Sequence, residues 1–245
     1  MRFYYYPFII SFLAGLSTLF GYFLIYLPKR YQNKIISYSL AFSSGVLFTI
    51  SFFSLIPEAF QFLLQYPIFY AILIFSLFFV IGFLIPIMIN SFITYDSSLY
   101  RIGFLSVISL MIHNIPEGIL SFLTTTSNLQ LGLSLSLAIA IHNIPEGISI
   151  AVPIYYSTYS KKRAFVFTFI SGFSEFFGSI MAYFFFRSLL SPMLFGCILS
   201  ITAGIMIYLT FFELIPKALE VSSFSSFILS FMIGFLIMIS CIIII

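Results

Sequence analysis

The stretches SVISLMIHNIPEGILSFL (residues 106–123) and SLSLAIAIHNIPEGISIAV (134–152) decide the fold. Each is an apolar run of membrane-spanning length with the hexapeptide His-Asn-Ile-Pro-Glu-Gly at its middle, at 113–118 and 142–147. The chain's only two histidines, His113 and His142, lie in these copies. Metal-ligating, ionisable side chains at mid-membrane depth are costly and mark a functional site by default. Two identical copies in successive apolar runs point to one site built from two helices.

The rest of the chain agrees with a membrane setting. Of 245 residues, 62% are hydrophobic and 7% charged, against roughly 25% charged in a soluble domain. Mean hydropathy is +1.18. The net charge is +3, and the only basic run is Lys161-Lys162-Arg163, so nothing speaks for nucleic-acid binding. Cys197 and Cys241 sit in apolar runs and form no paired motif; they read as small buried hydrophobes. Residues 1–27 begin with one basic residue and an apolar run, but no small-x-small cleavage site leads into a polar domain. They read as a retained first helix.

Eight spans fit: 7–27, 36–57, 67–94, 102–123, 131–156, 164–186, 190–216 and 222–245. Proline and polar clusters separate them, among them Pro28-Lys29-Arg30, Tyr95-Asp96-Ser97-Ser98 and Thr124 to Gln130. Loops 1–2, 3–4, 5–6 and 7–8 hold Lys29, Arg30, Lys34, Arg101, Lys161, Lys162, Arg163 and Lys217; the opposite side holds Arg2 and Arg187. Eight against two sets the orientation by the positive-inside rule, with both termini on the non-cytosolic side. With no long loop or soluble domain, residues 1–245 read as one integral membrane domain that acts within the bilayer, its lipid the surrounding partner.

Span 2 ends Ser54-Leu55-Ile56-Pro57-Glu58-Ala59 and span 7 ends Glu213-Leu214-Ile215-Pro216-Lys217-Ala218. These related segments lie on helices that cross in opposite directions. The expected architecture is therefore all-α and polytopic, with spans 1–3 and 6–8 as an inverted repeat around a central pair, spans 4 and 5. Secondary transporters are built this way, with the site at the midplane between repeats.

On a helix His113 and Glu117 share one face, as do His142 and Glu146. Each histidine is the twelfth residue of its span, so both lie near the bilayer centre. Two imidazoles and two carboxylates suit zinc, iron(II), manganese and similar divalent ions. Pro116 and Pro145 each free the carbonyl four residues earlier, at Ile112 and Ile141. Such groups need partners or a wet cavity. Asn114 and Asn143 can partner them or coordinate the ion through their amide oxygens. A plain proline kink accounts for Pro and Gly, not for His and Glu.

Glu175, in Ser171-Gly172-Phe173-Ser174-Glu175-Phe176-Phe177-Gly178, is the twelfth residue of span 6. Gly172, Ser174 and Gly178 allow close helix approach. Glu117, Glu146 and Glu175 thus share one depth with no Lys or Arg. Carboxylates there must be protonated or neutralised by a cation, and the two imidazoles favour the cation. Three negative charges leave room for one divalent ion or two. Ser54 and Glu213 are candidate lining residues of the entrance and exit, or else helix-end groups that meet water. Glu58, Asp96 and Glu220 read as loop or helix-end residues.

These motifs closely resemble the ZIP (ZRT/IRT-like) family of metal transporters, nearest to its bacterial branch and that branch's eukaryotic relatives. The resemblance spans nearly the whole chain and rests most on the paired hexapeptides, then on the Ser-Gly-x-Ser-Glu motif of span 6. It implies a primary metal site from His113, Glu117, His142 and Glu146. It implies a second site from Asn114, Glu117, Asn143, Glu146 and Glu175, with the two glutamates bridging. It also implies divalent-metal import, chiefly of zinc and often of iron or manganese, by an elevator-like movement of helices 1, 4, 5 and 6. Three positions depart from the pattern. Ser54 stands where relatives often carry an acid, Phe176 replaces a common proline, and the loop between spans 3 and 4 is short and lacks His.

The reading is a transporter that carries a divalent transition metal into the cytosol, the metal being substrate rather than prosthetic group. An intramembrane metal-dependent hydrolase using the same ligands is the alternative. It lacks the His-Glu-x-x-His spacing of zinc proteases and a spare base. A metal-sensing receptor lacks an output domain. The choice among metals, the membrane (plasma or organelle), proton coupling and a homodimeric state stay open at this level.

Overall fold

The computed structural model describes residues 5–92, 94, 97–189 and 191–244. Arg2 and Asp96 lie outside the described residues, as does the side chain of Arg187. Among the described residues there are eight helices long and apolar enough to cross a membrane. They are α1 (Tyr5–Tyr26), α2 (Lys29–Leu63), α3 (Ile68–Phe92), α4 (Ser98–Ser127), α5 (Leu129–Thr158), α6 (Lys161–Phe185), α7 (Pro192–Val221) and α8 (Phe224–Ile243). α2, α4 and α7 run a turn or more beyond a hydropathy-based border, because hydropathy marks the apolar slab while backbone hydrogen bonding carries the helix on into polar flanks.

One tight turn fixes the depth of the hexapeptides. Asn128 alone joins α4 to α5, and its side-chain oxygen accepts from the amides of Gln130 and Leu131, at 3.0 and 3.1 Å. That caps the start of α5. His113 precedes Asn128 and His142 follows it at almost equal separations along the chain. At about 1.5 Å per residue both stand roughly 22 Å from the turn. Glu117 then sits one helical turn nearer to the hairpin and Glu146 one turn farther away.

Pro57 and Pro216 do not end their helices. In each case a π-helical turn precedes the proline, Ser51–Leu55 in α2 and Leu209–Leu214 in α7. The wider turn shifts the hydrogen-bond register, so the ring finds room and the helix continues. The repeat is longer than the Leu-Ile-Pro core, since Phe52-Phe53 matches Phe211-Phe212.

The helices pack as two groups of four, α1/α4/α5/α6 and α2/α3/α7/α8. The principal pairs exchange under the repeat. α4 against α6 corresponds to α5 against α1, and α3 against α7 to α8 against α2. The α1/α6 and α2/α7 pairs map onto themselves. The seam between the groups is formed mainly by α2 and α7 against α5 and α4.

Close backbone approach holds each group together, as expected where lipid supplies little hydrophobic drive between helices. A Cβ on Gly118 of α4 would run into the Glu175 carbonyl of α6, and one on Gly45 of α2 into the Phe231 carbonyl of α8. For all thirteen glycines, the nearest atoms such a Cβ would meet belong to a helix of the same group. No glycine approaches across the seam in this way. The exposed Phe, Leu and Ile side chains of α3 and α8 form an outer apolar surface.

Candidate metal centre

The near-equal spacing from Asn128 brings the two hexapeptides face to face. Glu117 Oε1 lies 3.1 Å from His113 Nε2 and 2.9 Å from His142 Nε2. Glu146 Oε1 lies 3.4 Å from His113 Nε2. Ligand atoms of His113, His142 and Glu146 fall within 4.8 Å of one another. Two imidazoles and two carboxylates thus converge from α4 and α5. The set combines nitrogen and carboxylate donors, as zinc and the neighbouring first-row ions prefer.

Of the two roles open to the asparagines, partnering the freed carbonyls is not the one seen. Asn114 donates through Nδ2 to the Ser171 carbonyl of α6 at 3.0 Å. Asn143 donates to the Ala14 carbonyl of α1 at 3.0 Å and to Glu175 Oε2 at 2.8 Å. Neither amide donates to the carbonyls of Ile112 or Ile141. With their N–H groups held by neighbouring helices, both Oδ1 atoms remain free to face a cation. Glu175 is fully buried in α6, beside Asn143. Phe176, in place of a proline, leaves α6 unbroken and packs edge-on against Phe12 of α1 at 5.4 Å.

Unsatisfied polar atoms gather here. Among the described residues, thirteen buried side-chain oxygens and nitrogens lack a hydrogen-bond partner. Eight of them belong to His113, Asn114, Glu117, Asn143, Glu146 and Glu175, and two of the eight, His113 Nε2 and Glu146 Oε1, stand in ion-pair contact without hydrogen-bond geometry. Such groups are expensive in an apolar interior. A bound cation would satisfy several of them at once, which a proline kink or a structural polar cluster would not.

A cavity of about 160 Å³ reaches the centre from the end of the molecule where α4 turns into α5. His113, Glu117 and His142 line it, with Ser54 and Glu58 nearer the mouth. Glu146, Asn143 and Glu175 lie beyond its reach, fully buried. Glu58 was legible only as a helix-end residue. Because the π-helical turn carries α2 past Pro57, Glu58 instead lines the cavity and accepts a 2.7 Å hydrogen bond from Ser54. A carboxylate thus stands one turn beyond Ser54. Glu220 does stay at an exposed helix end, paired with Lys217 at 2.7 Å.

Glu213 neither lines this cavity nor meets water. It is buried near the opposite end, where Arg101 of α4 pairs with it at 3.1 Å across the seam. Asn90 of α3 and Tyr208 of α7 also donate to it, at 3.3 and 3.5 Å. Sequence reading assigned Arg101 to orientation alone. Its partner stands three spans later in the chain, and no local pattern announces the pair.

Residues 96–241 match the family model described as ZIP Zinc transporter. The chain is 37% identical over 224 residues to proteins named Zinc transporter ZupT from Escherichia coli O7:K1, O127:H6 and K12. The alignment covers 88% of this chain and 87% of each relative.

Proposed function

Because this chain belongs to the ZIP zinc transporter family, we propose that it moves zinc into the cytosol through the centre between α4 and α5, with iron(II) and manganese as competing cargo. It is a multi-pass membrane transporter and not an enzyme, and its metal is cargo rather than a prosthetic group. The observation that carries the reading is the convergence of His113, Glu117, His142 and Glu146, with most of the unpartnered buried polar atoms gathered around them.

In this reading the whole chain acts as one transport domain, with both termini outside. Metal enters past Glu58 and Ser54 and is held first by His113, Glu117 and His142, which face the cavity. Glu146 completes that site from the buried side. Asn114, Asn143 and Glu175, bridged by Glu117 and Glu146, make a second, deeper position. An inside-negative potential favours entry by roughly 4–5 kcal/mol per divalent ion at 100 mV if no charge compensates it.

Passage requires the closed end to open. The glycine contacts tie the helices of each four-helix group closely together and leave the seam without such interlocks. This supports an elevator-like shift of α1/α4/α5/α6 against α2/α3/α7/α8. The Arg101–Glu213 pair bridges the two bodies at the closed end and acts as the latch of the outward-open state. Once broken, it leaves Glu213 free to receive the departing ion.

The test is radiolabelled zinc uptake into proteoliposomes, wild type against the His113→Ala/His142→Ala double variant, with iron(II) and manganese as competitors. Saturable uptake that the double variant loses is the expected result. A wild-type protein that binds zinc without moving it would overturn the proposal.

A further inference from the structure

Away from the metal path, two adjoining pockets lie where α2 meets α8, toward the end of the bundle that carries Lys29, Arg30 and Lys34. One is small and polar, about 160 Å³, and is lined by Asn33, Lys34, Ser37 and Ser222 among others. The other is an apolar groove of about 540 Å³ between Phe42, Leu229 and Ile233 on one side and Leu24 and Ile148 on the other. Tyr38 and Ser226 line both, so the polar pocket continues into the groove.

The polar pocket presents donors. No carboxylate lines either pocket, and among the described residues Lys34 makes no ion pair. Ser37 is 2% exposed, and its hydroxyl finds no partner among the described residues. Ser226 accepts from Ser223 at 2.9 Å, which leaves its own O–H to donate. An ammonium group and free hydroxyls without an acceptor match an anionic oxygen group. The groove matches an alkyl chain. Its volume lies within the roughly 300–1,000 Å³ of small-molecule sites, and Leu229 and Ile233 leave it open to the lipid-facing surface.

We propose that these pockets form a binding site for one anionic phospholipid, with its phosphate against Lys34, Ser37 and Ser226 and one acyl chain along the groove. A free anion would leave the groove unfilled, and a plain hydrocarbon would leave Lys34 and Ser37 unanswered. The chain would lie along the seam, because Leu24 and Ile148 belong to one four-helix group and the other groove residues to the second. The site stands independently of the metal pathway.

Native mass spectrometry of the full-length detergent-solubilised protein tests this. Phosphatidylglycerol and phosphatidylcholine of matched acyl chains are titrated separately, with inorganic phosphate as competitor. One phosphatidylglycerol is retained in preference to phosphatidylcholine. Lys34→Gln lowers that retention roughly fivefold, about one surface charge's worth at a membrane interface. Ser230→Phe, which fills the groove, removes both lipids, while Lys162→Gln, a basic residue outside both pockets, changes nothing. Equal retention of the two lipids, or insensitivity to Lys34→Gln, overturns the proposal. Displacement by millimolar phosphate also overturns it, as the mark of a free-anion site. Lys34→Gln, an exposed change, carries the test if Ser230→Phe fails to fold.

Discussion

Glu117 holds the key position at the residue scale, because one of its oxygens lies within 3.1 Å of both imidazoles. Glu117→Gln keeps the shape and removes the charge. Calorimetry should show zinc affinity falling on the order of 100-fold, the upper range seen when a metal site loses a supporting group. Glu175 sits apart from the histidines, beside Asn143. For Glu175→Gln the expected change is in stoichiometry, from two ions to one, with the tighter affinity retained. Glu58 touches the path and not the centre. Glu58→Gln should therefore raise KM for zinc uptake several-fold and leave kcat unchanged, the pattern of lost capture rather than lost translocation. A fall in kcat alone would argue against an entrance role.

At the element scale the helices depend on two devices, small-residue packing and the π-helical turns before proline. Gly118→Ala sets a methyl group into the α6 backbone at Glu175, where nothing can swing aside. That substitution should cost about 2–3 kcal/mol, read as a lowered unfolding temperature in detergent. Gly103→Ala meets chiefly the flexible end of Ile154 and should cost under about 1 kcal/mol. Equal effects would remove the distinction between rigid and yielding contacts. The number and order of the helices were legible in the sequence, as runs of apolar residues divided by polar turns. The continuation past Pro57 and Pro216 was not, because a proline signals a break unless a widened turn precedes it. Glu58 was misplaced for that reason.

For the molecule as a whole, the proposed Arg101–Glu213 latch gives the sharpest prediction. Arg101→Ala leaves Glu213 buried without its cation, and the cost of an uncompensated buried charge falls on the state described here. Zinc should then bind more weakly from the outer side. The paired exchange Arg101→Glu/Glu213→Arg should restore much of the loss. If Arg101→Ala and the exchange behave alike, the pair does not couple the two bodies.

The sequence by itself determined the membrane setting, the eight helices and the repeat, and it named the side chains that meet between α4 and α5. Composition and hydropathy are local quantities, and identical hexapeptides on adjacent helices declare their partnership within a single hairpin. His113 and His142 could be paired because the α4–α5 hairpin puts them at one depth through chain spacing alone, with Glu117 and Glu146 about one turn to either side. Only the tertiary structure decided which end of the centre is open, that Glu58 lines the path and that Arg101 closes on Glu213. It also showed which helix pairs pack most closely within each group of four. Those features depend on which distant helix faces touch, and in a chain that is apolar nearly all round, hydropathy does not distinguish a face that meets protein from one that meets lipid.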